Sequence, residues 1–408
     1  MAYPNYAPPA DTPAQQFARK QELYTLLDRL GQELEIPPGR YKEAEEKYVA
    51  VSEVLHGCPT LSQYDPHVFA QGSFALGTTV RPLHGDEYDL DFICYLQKAH
   101  HLQHTQRQVY DYLHKRLAGH GVYSSMVELK NRCVRIRYAD KFHLDITPAV
   151  RNPYCNRGGL YVPDRKLVIW KASHPKGYVE WFTPIAALKP RLKMLEKAIE
   201  GRHVALGSTE KLPEQQVPRG ILRRAVQFMK RHRDTYREQY PTHADYAPIS
   251  IIITTLAAHA YQLAVSLGEY DSEFDVMNAV IDLMPRFIGI EQDWANKRIY
   301  TVLNPTTDGE NFADKWSDPK YYEVFTAWHQ AAKHDLRNLE SLRGRDEIQK
   351  SLRNSLGGTE TDRVFGLQTQ SINQARQQQT LNIPAAARTG MASAAAALPV
   401  PRNNFFGK

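Results

Sequence analysis

The chain has 408 residues, 42% of them hydrophobic and 24% charged, with a formal net charge of +6 and a pI near 8.9. That length has room for two or three domains and that apolar share can close real cores, which excludes a disordered polymer. The mild basicity suits a protein that handles phosphates, of nucleotides or of nucleic acid.

No basic region followed by an apolar stretch opens the chain, and no run is read as approaching the roughly 18 uncharged apolar residues of a membrane helix, so neither export nor a span is expected. Cys58, Cys94, Cys133 and Cys155 form no CxxC pair and have no histidine at zinc-finger spacing. A structural zinc and a disulfide framework are therefore not expected, and a reducing cytoplasm fits.

In chain order, helical apolar spacing runs from Thr12 to Leu34 through Phe17, Leu23, Leu26, Leu27 and Leu30, and again from Gly39 to Leu55 after the Pro37-Pro38 break. From His67 to Leu96 the pattern changes: VFAQGSFALGTTVRPL and YDLDFICYL read as strands at both ends with a Gly-rich connection between. A helix is expected from Thr105 to Leu117. VRIRYAD and FHLDITPAV then read as two strands joined by a turn at Asp140-Lys141. This order predicts an α+β sheet domain with carboxylates on adjacent strands.

Gly201 to Pro218 reads as a connection. Arg219–Tyr240, Ile249–Leu267, Ser272–Ile288 and Pro319–Glu340 each carry a helix-length pattern. From Gly357 the sequence turns to Gln, Asn, Thr and Ala, with too few large apolar residues to offset the entropy of ordering. The expected organisation is a catalytic domain over 1–204, a helical domain over 205–356 and a flexible tail over 357–408.

Side chains two apart on a strand share one face, so in YDLDFICYL Asp89 and Asp91 point one way while Leu90 and Phe92 point into a core. Two ionised carboxylates held that close repel, and divalent cations would relieve the repulsion. Alone, the pair reads as an edge strand with a solvated acidic face. Upstream, Gly72-Ser73 would let a phosphate approach the backbone and add a hydroxyl and an N–H. Asp145 lies between Leu144 and Ile146 in the second candidate strand, where a charge requires a metal or an ion pair, for example with Arg135 or Arg137. Asp86 and Glu87 in HGDEY are further acids nearby, and alternation favours Asp89 and Asp91.

The Arg219–Arg237 segment carries Arg223, Arg224, Lys230, Arg231 and Arg233 beside an apolar stripe of Ile221, Leu222, Ala225, Phe228 and Met229. Most of these cations are expected on a solvated face. Lys230, which follows Met229 at the helix centre, is assigned to a triphosphate. His100, His101 and His104 lack cysteine partners and read as surface residues.

Together, GS, a D-x-D strand and one more aspartate resemble the signature of the DNA polymerase β-like nucleotidyltransferase superfamily, with a longer gap from Ser73 to Asp89 than in its shortest members. RRAVQFMKRHRD and NPTTDGENFADKW, Asn304 to Trp316, resemble helical-domain segments of the cGAS/DncV-like nucleotidyltransferases (CD-NTases), bacterial enzymes of anti-phage signalling. The resemblance spans about residues 15 to 345. Physically, the Asn304–Trp316 run reads as a loop, an N-cap and the first turn of a helix, with Phe312 and Trp316 four apart on one face.

The resemblance implies a polymerase β-like sheet domain with leading helices, a helical C-terminal domain and a disordered tail. It implies two Mg²⁺ or Mn²⁺ ions per active site between Asp89, Asp91, Asp145 and a ribonucleoside triphosphate, with Gly72 and Ser73 on the β/γ-phosphates. Repeated transfer and ring closure would give a cyclic di- or trinucleotide second messenger in anti-phage (CBASS) defence, releasing pyrophosphate. The same residues would serve a template-free linear oligonucleotide synthetase or a transferase that tags RNA or protein. With no zinc ribbon, DNA sensing is not expected. Some members of the family are joined through their C-termini to other molecules by ubiquitin-like machinery, which would make Gly407 in RNNFFGK an acyl donor once Lys408 is removed.

Overall fold

The computed structural model describes residues 11–84, 87–138, 142–193, 220–292, 294–378, 382–383 and 398–399. Three helices lead: α1 (Pro13–Leu34), α2 (Pro38–His56) and the single turn α3 (Pro59–Ser62). Thr12 is the N-cap of α1 rather than its first residue. Its hydroxyl accepts from the Gln15 N–H while Gln15 reaches back to the cap N–H, the reciprocal arrangement that a Thr-x-x-Gln pattern specifies. Thr105 and Gln108 do the same for α5 (Gln106–Ala118).

Between these lie β1 (Pro66–Ala70), the short helix α4 (Gly72–Leu76) and β2 (Tyr88–Leu96); after α5 come β3 (Val127–Leu129), β4 (Val134–Tyr138), β5 (Phe142–Arg151), β6 (Leu160–Asp164) and β7 (Ile169–Ser173). They form one seven-stranded sheet in the order β1-β2-β5-β4-β3, with β6 on β5 and β7 on β6. β2 and β5 run parallel, in register Asp89↔His143 and Asp91↔Asp145, and β4 lies antiparallel to β5 with Arg135 opposite Asp145.

Strand alternation then decides the two faces. Leu90, Phe92, Leu144, Ile146, Val134 and Ile136 are buried against Val51 and Leu55 of α2 and Val109 and Leu113 of α5. Each such side chain stabilises the fold by about 1.5–3 kcal/mol, so the register cannot slip by one residue without exposing the whole set. The opposite face receives Asp89, Asp91, Asp145, Arg135 and Arg137.

After α6 (Pro175–Ala186) and β8 (Arg191–Leu192), the helical half contains α7 (Ile221–Gln239), α8 (Ser250–Leu267), β9 (Glu269–Tyr270), α9 (Glu273–Leu283), the hairpin β10 (Gly289–Gln292) and β11 (Arg298–Thr301), α10 (Pro319–Ser341), α11 (Arg345–Leu356) and α12 (Gly358–Gln377). Leu23, Leu27 and Leu30 of α1 join this helical core rather than the sheet core.

Several expectations change here. α8 is an uncharged 18-residue helix, long and apolar enough by composition to cross a membrane, contrary to the reading that no run approaches that length. Its Ile253, Leu256, Ala257, Ala258 and Ala260 are each fully buried in the helical core, which accounts for the absence of charge. The chain also does not leave its core at Gly357. α12 buries Glu360, Thr361, Val364 and Phe365; two large apolar side chains and an ion pair suffice where the average composition looks unfavourable.

Asn304–Trp316 forms no α-helical turn. Leu303 and Asn311 make an isolated bridge, the Asn311 side chain accepts from the Val302 and Ala313 N–H groups, and only Asp314–Ser317 coils, as 3₁₀. Phe312 packs against Tyr178 and Trp316 against Phe325. The Asp140-Lys141 turn, Asp86, the 201–218 connection with the expected boundary at 204, and Gly407 lie outside the described residues.

Candidate active site

The site starts where β1 ends. The Gln71 N–H donates to the Asp91 carbonyl at 2.8 Å, which fixes the chain beside β2. Gly72 then takes φ +60°, and a Cβ there would stand 2.5 Å from Asp91 Oδ2. Glycine is required twice over, for the left-handed backbone and for the space next to a carboxylate. Gly72→Ala is expected to lower turnover by about 100-fold through displacement of Asp91, with the fold retained in circular dichroism; steady-state kinetics would check it.

Across the sheet, Arg135 Nε donates to Asp145 Oδ1 at 2.6 Å and Nη2 donates to Asp145 Oδ2 at 2.8 Å and to Asp89 Oδ1 at 3.1 Å. The ion pair weighed for Asp145 from sequence is therefore present, and it reaches Asp89 as well. Asp91 stands differently. Burial first, then the charges of Asp145 and Asp89, push its carboxyl up to about 7, with Lys230 and Arg135 partly opposing. Glu87 is taken by Arg137 at 3.2 Å and His143 at 2.8 Å, which leaves the alternation-favoured pair, Asp89 and Asp91, facing the open space.

That space is a cavity of about 900 Å³ between the sheet and α7–α8, within the ordinary range for small-molecule sites. Gly72, Ser73, Asp89, Asp91 and Lys230 all line it; Asp145 does not. Asp234 and Thr254, which the sequence reading did not single out, complete the far wall. Asp234 follows Lys230 by four residues, so helical spacing places both on one face, and that was the available signal.

The cations of α7 do not form a solvated face. Arg224, Lys230 and Arg231 are 3%, 5% and 1% exposed. Along one side of α7, Arg223 donates to the Leu76 carbonyl, Gln227 to Thr79, Lys230 to Thr78 at 2.9 Å and Arg231 to Arg81 at 2.8 Å. The loop that follows Gly72-Ser73 and walls the cavity is thus held by side chains from the other half of the chain. Arg224 pairs with Asp28 and Glu35. Burial, then Arg233, lowers the Lys230 ammonium to about 8, against the pull of Asp234 and Asp91. An ammonium has three protons, so the bond to Thr78 leaves Lys230 able to donate into the cavity it lines.

A divalent metal would find Asp89 and Asp91 suited to it. Both carboxylates line the cavity, Asp91 is burdened by like charge, and the missing side chain of Gly72 leaves room beside it. As the side chains stand, no three acidic, His or Cys groups among the described residues converge on one point. Asp145 could join only after exchanging Arg135.

Residues 23–185 match the family model described as Second Messenger Oligonucleotide or Dinucleotide Synthetase domain. Over 390 residues the chain is 28% identical to the c-di-GMP synthase of Roseivirga ehrenbergii, with 95% of this chain and 98% of that protein covered. It is 28% identical over 384 residues to the cyclic dinucleotide synthase CdnG of Bradyrhizobium diazoefficiens, covering 89% and 86%. Its fold is similar to the solved structure of the Bradyrhizobium diazoefficiens CD-NTase CdnG in complex with GTP, with a TM-score of 0.63, 21% identity and coverage of 85% of this chain and 99% of that one. CdnC of Escherichia coli MS115-1 with ATP is similar at a TM-score of 0.57 and 13% identity, covering 83% and 98%.

Proposed function

We propose that this chain is a cGAS/DncV-like nucleotidyltransferase that condenses ribonucleoside triphosphates, GTP among them, into a cyclic dinucleotide that signals in anti-phage defence. The observation that carries the chemistry is the gathering of Gly72, Ser73, Asp89, Asp91 and Lys230 on one cavity of nucleotide size. The proteins named above as cyclic dinucleotide synthases support the product class, and the GTP-bound fold relative supports GTP as a substrate.

In this reading the phosphates lie along Gly72, whose backbone is open to close approach, with the Ser73 hydroxyl and the Lys230 ammonium as donors. Asp89 and Asp91 would hold Mg²⁺ or Mn²⁺, and Asp145 would join them. When bound, the ions would neutralise the phosphates and lower the pKa of the attacking ribose hydroxyl. The α7 contacts keep the Thr78–Arg81 wall in place around the nucleotide, so that the chain contributes position and charge rather than a covalent group.

The test is incubation of the pure protein with Mg²⁺ or Mn²⁺ and labelled ribonucleotides, singly and mixed, followed by phosphatase. A resistant product is expected. A product that loses its terminal label would instead indicate a linear oligonucleotide synthetase, and unaltered activity in the Asp89→Ala/Asp91→Ala protein would overturn the site.

A further inference from the structure

Register places four charged residues in one row across the sheet: Glu128 on β3 opposite Arg135 on β4, Arg135 opposite Asp145 on β5, and Asp145 beside Asp91 on β2. Arg135 therefore has a carboxylate on either side. In this structure its guanidinium turns inward and takes both oxygens of Asp145 and one of Asp89. Glu128 on its other side is half-buried and bonded to Lys130 at 2.9 Å. Asp145 is consequently absent from the cavity wall that Asp89 and Asp91 help to form.

Building on the metal site proposed above, we propose that Arg135 is the resident counter-cation of the carboxylate cluster: it occupies Asp145 and Asp89 in the nucleotide-free enzyme and yields them to divalent metal when a nucleoside triphosphate enters. A guanidinium and a divalent ion cannot share these oxygens without strong mutual repulsion. Metal alone must overcome a bidentate, charge-assisted pair that has excellent geometry. A triphosphate changes the balance, because it adds negative charge to the cavity and offers the planar fork equivalent acceptors, while Glu128 gives the displaced side chain a second partner. Metal and nucleotide then load together, and the empty enzyme is kept from filling with metal.

The inference is read by Mn²⁺ binding to the full-length protein, followed by electron paramagnetic resonance, with and without a non-hydrolysable GTP analogue. Without nucleotide, Arg135→Ala is expected to bind Mn²⁺ at least about tenfold more tightly than the wild type, and with the analogue the two should agree within about threefold. Arg135→Lys, which keeps the charge but cannot fork across two acids, should fall between, and it carries the test should the alanine protein fail to fold. Nucleotide-free affinity that is unchanged or weaker in both variants overturns the inference and leaves Arg135 as a strand-pairing residue. Asp91→Asn separates the two levels. If that variant still binds Mn²⁺ and analogue like the wild type, the carboxylate site itself is wrong and the role of Arg135 falls with it; if it loses binding while the Arg135 variants gain none, only the Arg135 inference fails.

Discussion

Asp91→Asn is expected to remove nucleotidyl transfer, by at least about 1000-fold in kcat, while making the metal-free protein more stable. Both effects have one cause. Asp91 is set by the β2–β5 register directly beside Asp145, with Asp89 two residues away on the same face. Burial and those two charges hold its carboxyl near 7, with Lys230 and Arg135 only partly opposing, so at neutral pH and without metal the site keeps a proton or carries partly compensated repulsion. A carboxyl whose folded pKa is raised contributes stability that is fully present below the ordinary carboxylate range, about 4, and is lost as pH rises through about 7. The melting temperature of the wild type relative to the asparagine variant should therefore fall progressively from pH 4 to 8 in chelator. The asparagine variant should lack that component and melt higher at pH 8. Equal melting curves for the two proteins at both ends of that range would show that Asp91 carries no such burden.

Arg231→Leu is expected to cost about 3–5 kcal/mol of stability, the range for stripping one partner from a buried ion pair. Arg231 is 1% exposed and Glu360 3%; the two are directly bonded, and Arg231 also donates to the carbonyls of Leu356 and Arg81. Leucine would leave an acid buried without its cation and two carbonyls without their donor. Urea unfolding should register the loss, and Arg231→Leu with Glu360→Leu should recover part of it. Because Arg81 lies within the loop that walls the cavity, between Val80 and Pro82, the single variant should also raise the KM for nucleotide. Truncation after Gly357 should act in the same direction, since it removes Glu360 together with Val364 and Phe365. A truncated protein with wild-type unfolding would show that α12 does not support the core.

The legible parts of the fold were those with short-range signals. Period-two alternation separated Asp89 and Asp91 from Leu90 and Phe92, and the helical stretches expected from Thr12 and Thr105 start within a residue of those positions. Arg135 could be named as one of two partners for Asp145, yet its reach to Asp89 depends on the parallel β2–β5 pairing, which no local pattern encodes. The α7 cations were misread for a related reason. Spacing reveals which side of a helix is apolar, but not that carbonyls from Leu76 to Arg81, far earlier in the chain, will meet Arg223, Lys230 and Arg231. At Asn304–Trp316 a four-residue aromatic spacing suggested a helix, while asparagine side chains bonded to nearby backbone gave a bridge and a 3₁₀ turn instead.

The acids of this site are aligned by strand register, not by the shape of a loop, and this sets where the chain can change length over evolutionary time. The connection between α4 and β2 can lengthen outside the Leu76–Arg81 stretch that α7 holds, as the gap from Ser73 to Asp89 indicates, because there it only has to return the chain to the same strand. Within β2 or β5 the gain or loss of one residue would turn Leu90 or Leu144 outward and carry an aspartate into the core. Insertions and deletions should therefore accumulate beside these two strands and spare their interiors.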